Sequence, residues 1–271
     1  MRTFICRSLL SLTLCAGPVI ASPAQAAELA GKLAVATGQV TDTALDGSTR
    51  SMHDGDSVYA GDRLVTGDDS YADLDFEDGG RVLLRPGTDF QIAAYHYEAG
   101  AHEQQNLANS PGTAVPGESA LFRLLKGGLS AISGLIGHVN HDQYSMNTAV
   151  ATIGIRGTAY ELRYCATDCG DAKSSTGAAS QDGLYVAVDA GAIAVKNQAG
   201  ESVTPEGKFA YVKDAKSSLQ FLAGRPETLR GMELPDQYKK RAELQHRKIL
   251  EERRRLREEL REKRRHRHPG G

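Results

Sequence analysis

Two alternating runs with a turn between them constrain this chain more than any other feature of its sequence. In Tyr71-Ala72-Asp73-Leu74-Asp75-Phe76, the apolar Ala72, Leu74 and Phe76 fall on one side of a pleated strand, and Asp73 and Asp75 on the wet side. Asp78-Gly79-Gly80 then supplies hairpin chemistry, and Arg81-Val82-Leu83-Leu84 resumes an extended run. A helical face needs apolar residues three and four apart, so a period of two commits this stretch to sheet.

The rhythm repeats along most of the chain. Ala34–Ala36, Gln39-Val40, Ser57–Tyr59 and Arg63–Thr66 read as strands before it, separated by Asp-Gly and Gly-Asp steps. Strands are predicted again at Gln143–Asn147, Ala149–Ile155 and Ala159–Tyr164, and then at Leu184–Val188, Ala192–Val195, Ser202-Val203 and Phe209–Val212. In the run to Ile155, alternation sets Ala149, Ala151, Ile153 and Ile155 against Val150, Thr152, Gly154 and Arg156. Glu103–Ser119 is polar, holds two prolines and reads as a surface loop, and Gly170–Gly183 is a loop of small residues. Leu121–Ile136 is ambiguous: Leu121, Leu124, Leu125, Leu129 and Ile132 fit one helical face, yet Gly127-Gly128 favours a bent strand. Many short strands at this spacing predict an all-β fold, a β-roll or sandwich, over residues 27–222.

Both ends differ from this body. Arg2 and Arg7 flank the start of the apolar run Leu9–Ile20, and Ala24-Gln25-Ala26 offers small residues for cleavage, so residues 1–26 read as a secretory signal peptide. No later stretch approaches the roughly 18 apolar residues of a membrane helix, and the mature chain is expected to be periplasmic or otherwise exported. Residues 223–236, with Pro226 and Pro235, read as a linker. Residues 237–267 read as a charged helix whose seam of Tyr238, Ala242, Gln245, Ile249, Leu256 and Leu260 is too thin to bury alone. From Asp236 onward 14 Lys+Arg face 7 Asp+Glu, whereas residues 27–235 carry 16 against 27. Such a tail suits peripheral or coiled-coil contact with an envelope partner; export and interspersed glutamates argue against nucleic acid. Cys165 and Cys169 remain after leader removal, and two thiols four apart in an oxidising compartment most simply form a local disulfide; a metal half-site or a redox pair are the alternatives.

Two stretches resemble the FecR-type periplasmic domain family. Gly61-Asp62-Arg63-Leu64-Val65-Thr66-Gly67-Asp68-Asp69-Ser70-Tyr71-Ala72-Asp73-Leu74, followed by Asp78-Gly79-Gly80-Arg81-Val82-Leu83-Leu84, is similar to its first half, and Thr148-Ala-Val-Ala-Thr-Ile-Gly-Ile-Arg-Gly-Thr158 to its second signature. The likeness is strongest over residues 31–165. It implies an exported all-β sensing domain of the kind used in envelope signal transduction. The family's cytoplasmic anti-sigma region and membrane span are replaced here by a cleavable leader, so the sigma-regulating role is not carried over. Gly61, Asp62, Thr66, Gly67, Asp78 and Gly79 in the first signature, and Thr152, Gly154, Arg156, Gly157 and Thr158 in the second, are the residues the resemblance marks as structural or contacting. Arg156 suits either a buttress or a contact to a ligand or partner.

Catalytic and metal motifs were weighed against these residues. His102-Glu103-Gln104-Gln105-Asn106 lacks the second histidine of a zincin helix, Gly117-Glu118-Ser119-Ala120-Leu121 lacks the last glycine of a nucleophile elbow, and no phosphate-binding or dinucleotide fingerprint occurs. His138 and His141 read as solvent-facing turn residues, and the acid-rich Asp54–Asp78 stretch as wet turns and strand faces with no calcium site. The expectation is a non-enzymatic binding, sensing or scaffolding domain of the cell envelope, with no cofactor and no metal, whose partner is an envelope protein or polysaccharide. Two alternatives stand beside it: a cell-wall polysaccharide-binding module, and an envelope hydrolase whose site assembles from distant residues.

Overall fold

The computed structural model describes residues 27–107, 114–155, 157–169 and 180–232. The leader, Arg156, most of the Gly170–Gly183 loop, the end of the linker and the charged tail lie outside the described residues.

The described residues form an all-β fold. In chain order the strands are β1 (Leu29–Thr37), β2 (Val40–Thr43), β3 (Thr49–Ser51), β4 (Ser57–Tyr59), β5 (Arg63–Thr66), β6 (Tyr71–Phe76), β7 (Arg81–Leu84) and β8 (Asp89–His96). They continue as β9 (Ser119–Ile132), β10 (Tyr144–Asn147), β11 (Thr152–Ile155), β12 (Ala159–Cys165), β13 (Gly183–Ala190), β14 (Ala192–Asn197), β15 (Gly200–Pro205), β16 (Phe209–Val212) and β17 (Gln220–Leu222). Two short helices, α1 (Ala99–Leu107) and α2 (Leu135–Val139), flank β9.

The strands make two ladders. The first runs β4-β1-β6-β7-β9-β12-β13-β16-β17 and the second β3-β2-β5-β8-β9-β10-β11-β14-β15. Every pairing is antiparallel except β9 with β10. Strand β9 belongs to both ladders: Ser119–Lys126 pairs β8, and Leu129–Ile132 pairs β7. The crossing point is Gly127, at φ +86°, where an added Cβ would sit 2.5 Å from the Thr88 Cα. No L side chain fits there, so the glycine pair that breaks the helical pattern is what lets one strand turn from one layer into the other.

Alternation delivers one apolar face from each ladder into a single core. Leu33, Leu74, Leu84, Leu129, Leu162 and Val186 come from the first, and Leu64, Phe90, Ile92, Phe122, Met146, Ile153 and Val195 from the second. Phe122 sits at the centre, with ring centroids 5.0 Å from Phe76 and 5.6 Å from both Phe90 and Tyr144. The hydroxyls of Tyr144 and Tyr160 meet at 2.8 Å and so satisfy each other inside this apolar surrounding.

Several local expectations need correction. The loop expected at Glu103–Ser119 is helical at its start, because α1 is held to the body by His102, whose Nε2 lies 2.8 Å from the fully buried Glu118 carboxylate while Tyr97 stacks on the ring. Asp73 points away from the core as alternation requires, yet it is buried, because the Arg81 guanidinium lies over it and donates to both carboxylate oxygens. His138 is buried on α2, with Ile136 beside it, and is not a solvent-facing turn residue. The run expected from Ala149 is extended only from Thr152: Thr148 Oγ1 accepts the Val150 and Ala151 amides in a turn that buries Val150 and exposes Ala149. Strand β8 was not foreseen, since a bulge between Ile92 and Ala94 breaks its alternation.

Residues 223–232, expected to link two parts loosely, are docked on the outer face of the first ladder. Arg225 donates to the fully buried Glu161 and to the Leu229 carbonyl, and the Met232 carbonyl accepts from Ser130 and Arg85. Leu229 and Met232 join Tyr185, Tyr211 and the cystine in a second apolar cluster under this strap. Pro226, which read as a linker signal, and Gly231 shape a tight turn here.

Candidate functional site

The residues of the first signature tie strands together. Thr66 Oγ1 donates to the Arg85 carbonyl at 2.6 Å and accepts the Thr88 amide at 2.9 Å. The Gly67 amide reaches the Gln39 carbonyl at 2.9 Å, and the Gly67 carbonyl accepts the Gly87 amide at 3.0 Å. Gly61 and Gly79 occupy left-handed turn positions. Asp78, almost fully buried, accepts the Gly80 amide at 3.0 Å and the Ile136 amide at 3.3 Å, so its carboxylate joins the β6–β7 hairpin to the start of α2; burial raises its pKa.

Asp62 forms a carboxyl pair that the sequence did not disclose. It accepts the Tyr59 amide at 2.8 Å and lies beside the fully buried Asp42, with Arg50 donating to Asp42 at 2.9 Å. Burial, reinforced by the Asp42 charge, pushes the Asp62 pKa up to about 6. A protonated Asp62 gives a donor to the Asp42 carboxylate, whose Oδ1 is buried without a hydrogen-bond partner. Both acids are at most 2% exposed, so they have no open face toward a substrate.

In the second signature, Thr158 Oγ1 donates to the Ala192 carbonyl at 2.8 Å and its amide donates to Ser133 Oγ at 2.9 Å, while Gly157 takes a left-handed turn. Cys165 and Cys169 are joined as a disulfide, with Arg163 Nε donating to Cys169 Sγ at 3.3 Å and Nη2 paired to Asp168. Thr152 and Gly154 face outward, and they lead to an open feature of the surface.

That feature is a row of side chains crossing the whole second ladder. Register pairs Thr49 with Thr43, Thr43 with Arg63, Arg63 with Gln91 and Gln91 with Arg123. The row continues from Arg123 to Asn147, Thr152, Lys196 and Glu201. All nine residues are polar and none is buried, while the residues on either side of them in each strand from β5 to β14 include the core positions Leu64, Ile92, Phe122, Met146, Ile153 and Val195. Beside the row, Leu121 pairs Ser145, and Gly154 pairs Ala194, which pairs Val203.

Small side chains next to long ones make a trough. It opens into a groove of about 320 Å³ lined by His141, Asp142, Ser145, Thr152, Gly154, Ala194, Lys196 and Glu201. The floor is Gly154 and Ala194, where a Cβ added to Gly154 would lie 3.9 Å from the Ala194 Cβ and so fit without displacing anything. Thr152 Oγ1 donates to Asn147 Oδ1 at 2.7 Å, and Asn147 Nδ2 donates to Ser145 Oγ at 3.3 Å. Arg63 is paired with Asp89, but no carboxylate lies within ion-pair distance of Arg123 or Lys196 among the described residues. Arg123 makes only a 3.3 Å contact to Gln91.

The groove brings together His141, Asp142 and Ser145, residue types of a nucleophilic triad. Their bonding is different: His141 donates from Nδ1 to the Gly137 carbonyl at 2.6 Å, and Ser145 accepts from Asn147. This face is mixed in charge, and its cations Arg123 and Lys196 have no carboxylate partner among the described residues. Alternation in each strand would have shown which residues point outward, but the row itself needs the cross-strand register, which no local pattern encodes.

No protein-family model and no curated protein matches the chain. Among solved structures, a candidate anti-sigma factor from Parabacteroides distasonis ATCC 8503, in two crystal structures, is similar at 13% identity with a TM-score of 0.38. The likeness covers 60% of this chain and 59% of that one. A cell surface anchoring domain is similar at 24% identity with a TM-score of 0.22, over 23% of this chain and 82% of that one. The groove itself is therefore the basis for reading function.

Proposed function

We propose that this chain is an exported, FecR-like binding or sensing domain of the bacterial cell envelope, without catalytic activity, that presents the outer face of its second ladder to a ligand. The observation that carries this reading is the placement of Thr152 and Gly154. Both line the groove with outward-facing positions, next to the buried Ile155 of the same signature, while Thr158 and the first-signature residues Thr66, Gly67 and Asp78 hold strands together. Among the described residues, these structural ones face inward or bond to backbone, whereas Thr152 and Gly154 look out beside Lys196, which has no carboxylate within ion-pair distance. The charged tail serves in this reading as an adaptor to an envelope partner.

The test is chemical shielding. The mature chain is acetylated with and without solubilised envelope fractions, and Lys196 is compared with the exposed Lys208 outside the row. Selective shielding of Lys196, lost when Gly154→Leu fills the trough, is expected. Equal reactivity of the two lysines in every fraction refutes the reading. A mature N-terminus at Ala27, read by sequencing the periplasmic protein, checks export.

A further inference from the structure

We propose that the segment of the row from Arg123 to Lys196 binds an extended linear glycan that carries carboxylates, laid across the strands. The proposal rests on the binding-domain reading above and names the ligand class for that face.

Spacing is the first argument. Arg123, Asn147, Thr152 and Lys196 stand on four neighbouring strands, so consecutive side chains are separated by the interstrand distance of about 4.8 Å. An equatorially linked pyranose chain advances by close to one such step per sugar. An extended peptide repeats its same-side groups only every second residue, about 6.8 Å, and falls out of step with the row after one residue. Successive sugars of such a ribbon are turned over, but each carries hydroxyls on both edges, so every unit still offers a polar group to one side chain of the row.

Shape and charge point the same way. The trough beside the row is floored by Ser145, Gly154 and Ala194, which leaves room for a ring lying flat against the sheet. Polar hydroxyl and amide groups sit at the middle of the segment and cations at its two ends. Arg123 is exposed and Lys196 is exposed, neither with a carboxylate partner among the described residues, in a body where acids outnumber bases by 27 to 16 over residues 27–235. A carboxylate is drawn to these two positions and repelled by most of the remaining surface. Glu201, the next residue of the row, ends the favourable stretch.

The probe is a β-1,4-linked mannuronate tetramer, titrated calorimetrically against the mature chain, with cellotetraose as the uncharged glycan and tetraglutamate as the acidic non-glycan. The mannuronate tetramer is expected to bind, more weakly as salt rises, and to exceed both controls. Arg123→Gln and Lys196→Gln are each expected to weaken it by about tenfold, the worth of one charge-assisted hydrogen bond. Gly154→Leu is expected to abolish binding with an unchanged melting transition, since the added Cβ meets Ala194 only at ordinary contact distance, 3.9 Å, on the outward face. No binding of the tetramer, equal binding of either control, or indifference to the substitutions overturns the proposal. If Lys196 is nevertheless shielded by envelope fractions, the binding-domain reading stands and only the glycan class falls; loss of both removes the two together.

Discussion

Replacing Asp62 with Asn tests the buried carboxyl pair quantitatively. In the folded protein burial, with the Asp42 charge behind it, raises the Asp62 pKa from 3.8 to about 6. The native state therefore holds this proton at pH values where the unfolded chain has released it. Between those limits the native state binds more protons, so stability falls as pH rises; the contribution is complete below pH 3.8 and lost as pH passes about 6. A shift of about two units corresponds to roughly 3 kcal/mol between mild acid and neutrality. Asp62→Asn keeps an acceptor for the Tyr59 amide and gives a permanent donor to Asp42, so it removes the titration without opening the site. Thermal melts from about pH 4 to 7 should show the variant gaining on the wild type as pH rises, by roughly 6–12 °C at neutrality for a domain of this size. Parallel curves for the two proteins across that range, or a variant less stable than wild type at pH 7, would refute the shared-proton account.

Two further perturbations address the strap and the cystine. Arg225→Ala leaves the fully buried Glu161 without its guanidinium and should cost about 3 kcal/mol in denaturant unfolding, with Glu161→Gln in the same chain restoring part of the loss; an unchanged midpoint would show that the strap is not held there. Reducing the Cys165–Cys169 bond opens a loop of sequence separation 4 and should lower stability by about 2 kcal/mol on a chain-entropy basis; a loss of cooperative folding instead would mean that the second apolar cluster depends on the cystine.

Period-two patterning made the strands legible because each reports its own buried face. Ala72, Leu74 and Phe76 are buried as their alternation requires, and Ile153 and Ile155 likewise. The misreadings have one physical origin, which is that exposure also depends on what lies above a residue. Asp73 is on the side facing away from the core, but Arg81 covers it. His102 and Glu118 looked like fragments of failed catalytic motifs, and neither sequence neighbourhood discloses that sixteen residues apart they pair inside the protein. Residues 223–232 have the proline and glycine of a linker, yet Leu229 and Met232 find an apolar patch that only the folded first ladder creates. The candidate site failed to show for a related reason: Gln91, Arg123, Asn147 and Lys196 are unremarkable polar residues until register places them side by side.

The two ladders differ in what their outer faces permit. In the first, the strap covers the outer side at β9, β12 and β13, so Ser130, Glu161 and Tyr185 are buried although they point away from the main core, and substitutions there on either face disturb packing. In the second ladder, from β9 to β14, inward positions are core and outward positions end in solvent, as with Phe122 beside Arg123, Ile153 beside Thr152 and Val195 beside Lys196. Surface substitutions of this kind usually change stability by within about 0.5 kcal/mol. Parity along the strand therefore separates folding from contact. A change at Arg123, Thr152 or Lys196 that alters binding reports on the face itself, whereas the same experiment on the first ladder would confound lost contact with lost packing. That separation is a direct consequence of the pleat, and it is why the outer row, and not the buried acid clusters, is where a ligand-binding role can be tested cleanly.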